Sequence, residues 1–291
     1  MQRLPVIGQT FTHSAFEAVQ RAAFDAAGVD LQIERWERRP HELPDAIEAL
    51  QGTDFAGALV LQPHKEKVAT LVSSLSEDAK LTGAVNVVVR DGARLRGYNS
   101  DVDGLRAGLA ALLPKVQGKW PRSAVVLGAG GGARAAVAVL VAGGFQHVAV
   151  FNRHLHRAES VVGHFARHTR HMELRARPWH ETIMEVELAK AGLLVNAIGA
   201  GEGGDASPIP ADLLPENLYL LDLALDRSAT PLMRAVKGHG GTVANGRAAY
   251  VASSAETFKL LTGSEPPADV MRQALAAELD PAEDAAVGDW G

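Results

Sequence analysis

The sequence predicts an α/β protein of two domains. Apolar runs of strand length alternate with helical stretches along most of the chain, the pattern of a mostly parallel sheet covered by helices. The length, 291 residues, suits one or two domains. A glycine cluster, Gly128-Ala129-Gly130-Gly131-Gly132-Ala133, separates an apolar run from an alanine-rich stretch and follows about 120 residues, enough for a domain of their own.

Taken in order, residues 4–8 read as a strand, 13–27 as a helix and Leu31 to Trp36 as a strand. Pro44 to Leu50 reads as a helix and Ala56 to Leu61 as an apolar strand, with helix over Glu66 to Leu75 and again over Asp78 to Lys80. Val85 to Arg90 and Arg94 to Tyr98 flank Asp91-Gly92, a hairpin signal. Val102 to Leu113 is helical. Ala124 to Leu127 is a strand, Ala133 to Ala142 a helix, and Val148 to Phe151 the next strand. Strands follow at Leu193 to Ala197, Leu218 to Asp222 and Thr242 to Ala244, then helices at Ala248 to Leu261 and Pro267 to Leu279. The expected division is 1–104, completed by 246–280, beside 105–245, with an acidic tail at 281–291.

Gly128-x-Gly130-x-x-Ala133 fits the dinucleotide fingerprint of a Rossmann-type domain. The first glycine permits a tight turn, the second lets the backbone approach a pyrophosphate, and the small third residue allows close packing of helix on strand. Ala129, Gly131 and Gly132 complete a loop whose helix begins with free N–H groups facing the phosphates. An ordinary glycine turn is the alternative. NAD-binding units carry an Asp or Glu after the second strand to hold the ribose 2′-hydroxyl. No acidic residue lies between Ser123 and Ala158, and Asn152, Arg153 and Arg157 stand there instead. Two guanidiniums suit a 2′-phosphate, so the expected cofactor is NADP; a solvated basic turn is the alternative.

The chain is 47% hydrophobic and 22% charged, ordinary for a globular enzyme, and its net charge of −5 suggests neither nucleic acid nor a membrane surface as partner. It has no cysteine, which removes disulfides and thiolate chemistry. The N-terminus lacks the apolar core of a signal peptide, and no run is apolar enough to span a bilayer, so a cytoplasmic location is expected. The eleven histidines are scattered. His164, His168 and His171 fall in a basic stretch that reads as a solvated face, and no metal site is expected.

Three early segments are too specific for packing alone: Gln62-Pro63-His64-Lys65, Thr82-Gly83-Ala84-Val85-Asn86 and Gly97-Tyr98-Asn99-Ser100-Asp101. With Thr230-Pro231-Leu232 and Phe258-x-x-x-Thr262-Gly263 they resemble, in order and spacing, the shikimate dehydrogenase family from Val6 to about Gly263. The resemblance implies reversible hydride transfer between NADP and a secondary alcohol of a cyclic acid, with Lys65 and Asp101 as acid–base pair and Asn86 on a substrate hydroxyl. The chemistry is consistent, since the group that takes the alcohol proton must lie within hydrogen-bond reach and titrate near neutrality. Taken alone, Lys65 reads as a surface lysine, Asp101 as a helix N-cap and Asn86 as a strand-end residue. The family's nicotinamide-side segment, Asn-Ala-Thr-x-x-Gly-Met, reads Asn196-Ala197-Ile198-Gly199-Ala200-Gly201-Glu202 here, and the resemblance places Asn196 and Ile198 at the cofactor.

The substrate residues depart from the family pattern. In the His-Ser-x-Ser turn that holds the substrate carboxylate, Ser14 is kept, but the second serine is Phe16. A threonine before the Pro-His-Lys turn is Leu61, a tyrosine is Leu225, and a glutamine aligns with Ser253. Each lost hydrogen bond to a buried polar group costs about 1–3 kcal/mol. The favoured expectation is therefore a shikimate-dehydrogenase-like enzyme with a non-standard substrate preference. The alternative is an ordinary shikimate dehydrogenase of aromatic amino acid biosynthesis, and a non-catalytic NADP or metabolite sensor ranks behind both. Partners are expected to be the small-molecule substrate and, at most, a second copy of the chain, as monomer or homodimer.

Overall fold

The computed structural model describes residues 2–11, 15–112, 121–198, 206–225 and 229–279. It divides into two compact units, residues 1–104 with 250–279 and residues 105–249. The expected acidic tail at 281–291 and the start of the helix expected from residue 13 lie outside the described residues.

In the first unit β1 (Gln2–Gly8) pairs in parallel with β2 (Leu31–Glu37) and with β3 (Gly57–Val60). Further along, β4 (Ser74–Leu75) precedes the hairpin of β5 (Val87–Asp91) and β6 (Arg94–Tyr98). The sheet order is β2-β1-β3-β5-β6-β4, parallel except where the hairpin adds antiparallel pairs. Side chains alternate between two cores, as the period of a strand requires. Leu4, Val6, Leu59 and Val87 face one core, and Ile7, Ala58, Val60 and Val88 the other. The first core is covered by α1 (Ala15–Ala27), which buries Val19, Ala23 and Phe24. Phe24 stacks on Phe258 of α10 (Arg247–Thr262) at 5.6 Å, and α11 (Ala268–Glu278) adds Met271 and Leu275 one turn apart. The second core is covered by α2 (Leu43–Ala49) and α3 (Lys65–Ala69).

The helix expected from Glu66 to Leu75 ends early, at Ala69. Thr70 Oγ1 donates back to the Lys67 carbonyl, and Ser73 exchanges hydrogen bonds with the Leu95 backbone, leaving Ser74–Leu75 to pair with β6. Hydroxyl side chains that compete for backbone groups favour such an exit from a helix. The next helix, α4 (Glu77–Thr82), is longer than its sequence signal, capped by Ser76 at one end and by left-handed Gly83 at the other.

In the second unit, which α5 (Asp101–Leu112) enters, all the described strands are parallel. They are β7 (Ser123–Leu127), β8 (His147–Asn152), β9 (Glu173–Pro178), β10 (Leu193–Asn196), β11 (Tyr219–Asp222) and β12 (Thr242–Ala244). Their order is β12-β11-β10-β7-β8-β9, so the winding reverses between β7 and β10. Ligands of such sheets bind beyond the carboxyl ends of the strands at that reversal. Ala124 to Leu127 and Leu193 to Asn196 are buried throughout, as central parallel strands are. After β7 comes α6 (Gly131–Ala142), an Ala/Val helix buried from Ala133 to Leu140, and α9 (Pro231–Gly238) follows β11.

Three elements had no clear sequence signal: α7 (Leu155–Phe165), β9 and α8 (Glu181–Leu188). As an edge strand, β9 alternates Glu173, Arg175 and Arg177, and Arg177 is held by Glu187 of α8 at 2.6 Å. A strand whose outward side chains are all charged reads as loop until its partner is known. No described helix is long and apolar enough to cross a membrane.

Candidate active site and nucleotide loop

Lys65 opens α3 directly after the Pro63-His64 turn, and buried His64 anchors that turn, its Nε2 lying 2.8 Å from the Arg38 carbonyl. The Lys65 ammonium donates to Asp101 Oδ2 at 2.6 Å, with the two side chains 14% and 20% exposed. Asn86 Nδ2 donates to the other oxygen, Oδ1, at 2.9 Å and to Ser100 Oγ at 2.9 Å, while Asn86 Oδ1 accepts from the Ser100 backbone. Asp101 begins α5, yet its carboxylate goes to Lys65 and Asn86 rather than to the backbone of its own helix. The N-cap alternative for Asp101 therefore fails. The backbone N–H of Asp101 is taken by Asn99 Oδ1, and the amide of Asn99 is fixed by Thr82 Oγ1 and the Ala84 carbonyl. A lysine, a carboxylate and an amide thus converge, the lysine and carboxylate partly open to solvent and the amide buried.

Ser253 joins this cluster through Ser100, Oγ to Oγ at 3.0 Å, and buried Thr257 reaches the same Ser100 hydroxyl at 2.9 Å. Neither Ser100 nor Thr257 carries an individual signal in the sequence; a hydroxyl has no periodicity, and Thr257 lies 157 positions from its partner. Phe16 and Leu61 pack into one apolar cluster with Phe11 and Tyr250. Leu225 belongs to the second unit, half-buried after β11, and Ser14 lies outside the described residues.

In the second unit Gly128 leaves β7 with φ +104°, and a Cβ there would lie 2.8 Å from the Ala197 carbonyl oxygen, so only glycine fits. Gly130 precedes α6 in extended conformation, and no side chain caps the helix. Gly131 and Gly132 supply its first turn, with Ala129 and Ala133 buried around them. The first turn holds no acidic residue. An uncapped helix start beside a left-handed glycine leaves backbone N–H groups for a phosphate. Beyond β8, Asn152 Nδ2 donates to the His154 carbonyl, shaping the turn that carries Arg153 and leads into α7, whose first turn carries Arg157; both arginines are exposed. Asn196 is committed to the protein itself: it donates to buried Asp222 at 3.0 Å and accepts from the Ile198 backbone. Asp222 also takes the Thr230 hydroxyl at 2.7 Å, so these residues shape the loops after β10 and β11.

A family model described as the shikimate dehydrogenase substrate binding domain matches residues 6–88, and one described as shikimate/quinate 5-dehydrogenase matches residues 114–206. A relative from Symbiobacterium thermophilum named shikimate dehydrogenase (NADP(+)) is 33% identical over 280 residues, covering 95% of this chain and 94% of its own. The chain belongs to the shikimate dehydrogenase family. It is accordingly an enzyme of the dehydrogenase class. A Geobacter metallireducens relative of the same name is 34% identical over 95% of this chain and 96% of its own. The crystal structure of the Thermus thermophilus shikimate 5-dehydrogenase in complex with NADP(H) and shikimate superposes with a TM-score of 0.79 at 30% identity, covering 96% of this chain and all of that one.

Proposed function

We propose that this family member is an NADP-dependent shikimate dehydrogenase, interconverting shikimate and the corresponding ketone. The 2.6 Å contact of Lys65 with Asp101, with Asn86 on the other carboxylate oxygen, carries the reading. Oxidation of a secondary alcohol sends a hydride from carbon to the cofactor and a proton from oxygen to the protein. Lys65 in its neutral form, with Asp101 beside it, is the group placed to take that proton, since the two side chains are in contact and partly open to a ligand. Asn86 orients the carboxylate through one N–H and spends the other on Ser100, which leaves the second lone pair of its Oδ1 for a ring hydroxyl.

NADP, when bound, accepts the hydride in this direction and returns it in the other. The Gly128–Ala133 loop offers backbone N–H groups to its pyrophosphate, and Arg153 and Arg157 offer two exposed cations to its 2′-phosphate. Asn196 and Ile198 act behind the cofactor, by holding the loops after β10 and β11 in shape.

A second reading, a shifted substrate preference, is favoured by Phe16, Leu61 and Leu225 standing where hydroxyl-bearing side chains are expected. Relatives named shikimate dehydrogenase make shikimate itself the first compound to test. Rates with NADP on shikimate, quinate, and aminated and deoxygenated analogues separate the two. Shikimate as the best substrate supports the first reading, and an analogue oxidised at least tenfold more efficiently supports the second.

A further inference from the structure

α10 carries Tyr250, Ser253 and Thr257 at positions i, i+3 and i+7, on one helical face. The two hydroxyl residues reach Ser100 and, through Asn86, the Asp101 carboxylate. One turn earlier, the Tyr250 hydroxyl has no hydrogen-bond partner among the described residues. Its ring is half-buried, packed edge-on against Phe16 with centroids 6.3 Å apart, in the cluster that holds Phe11 and Leu61. Burial and the negative charge of Asp101 both push the phenol well above its usual pKa, so it stays a donor at any working pH.

A hydroxyl with no partner in the protein and open to solvent can exchange its water for a ligand oxygen. Lys65, the cation of the candidate site, is committed to Asp101, and Arg35, which lies over the Phe11 ring, is committed to Glu17. Phe11, Phe16 and Leu61 carry no donor, so an acid lying against this wall meets one at Tyr250. Of the groups on a hydroxylated ring acid, the carboxylate is the one that an apolar wall penalises most, and a phenol donating to an anion makes a strong, charge-assisted hydrogen bond.

We propose that the Tyr250 hydroxyl donates a hydrogen bond to the substrate carboxylate, making Tyr250 a specificity-determining residue of the first unit. This rests on the dehydrogenase reading given above. Tyr250 then supplies from α10 the hydroxyl that Phe16 lacks on α1. The substrate is thereby gripped at two ends, its alcohol by Lys65 and Asp101 and its acid by Tyr250.

The test compares wild type and Tyr250→Phe on shikimate and on shikimate methyl ester, with NADP saturating. The expected result is a KM for shikimate raised at least tenfold in the variant, with kcat changed less than threefold, the KM for NADP unchanged and the ester affected less than threefold. An unchanged KM for shikimate in a variant of unaltered melting temperature overturns the assignment, and so does an equal rise for acid and ester. Wild type that turns over neither acid nor ester overturns the reading of shikimate as substrate and this assignment together. Wild type active on shikimate with an indifferent Tyr250→Phe overturns this assignment alone.

Discussion

Lys65 and Asp101 reach the same place from different elements, one opening α3 and the other opening α5. Each has a bland reading on its own, and their contact at 2.6 Å in a partly buried setting removes both. Lys65→Ala is expected to lower kcat by about 10²–10⁴-fold, the usual worth of a positioned proton-transfer group. Its NADP affinity, followed by fluorescence titration, is expected to stay within about threefold of wild type, because the nucleotide loop belongs to the other unit. Gly128 is the matching residue there. Gly128→Val places a side chain at φ +104° against the Ala197 carbonyl. Strain of this kind costs about 1–3 kcal/mol, so a lowered melting temperature and loss of cofactor binding are expected together.

At the scale of elements, buried hydroxyls tie α10 to the start of α5. Thr257→Val removes the hydrogen bond to Ser100 without changing shape, and is expected to lower stability by about 1 kcal/mol in a denaturant titration. Asn86 and Ser253 still hold Ser100, so activity should persist. On the nucleotide side, the proposed reading assigns the choice of cofactor to Arg153, in the turn between β8 and α7, and Arg157, in the first turn of α7. Arg153→Ala with Arg157→Ala is expected to weaken NADP binding by about tenfold or more while leaving NAD within about threefold, because only the 2′-phosphate needs the lost charge. Equal losses for the two cofactors would assign these arginines to something other than the 2′-phosphate. What could be read in the sequence follows the same division. The glycine loop, the apolar central strands and the hairpin at Asp91-Gly92 announce themselves, because each imposes a local requirement on residue type. The charged edge strand β9 and the serine-rich exit from α3 do not, because a partner elsewhere in the fold decides them.

At the scale of the molecule, the chain combines one unit that gathers Lys65, Asn86 and Asp101 with another that is a doubly wound nucleotide fold. The candidate catalytic groups were legible because three short motifs carry them. Ser100, Thr257 and Tyr250 were not, because a hydroxyl becomes informative only once its neighbours are placed. The apolar substitutions at Phe16 and Leu61 pointed toward a changed substrate, and the position of Tyr250 offers a compensating donor beside them. Binding to the folded state should appear as thermal stabilisation, about 2.7 kcal/mol at a hundredfold excess of ligand over Kd. NADP is expected to raise the melting temperature clearly more than NAD at equal concentration. The most direct test of the whole account is the initial rate of NADP reduction with shikimate, wild type beside Lys65→Ala. The account predicts steady turnover by wild type and a rate at least about a hundredfold lower in the variant. Wild type without turnover, or a Lys65→Ala variant as fast as wild type, would contradict it.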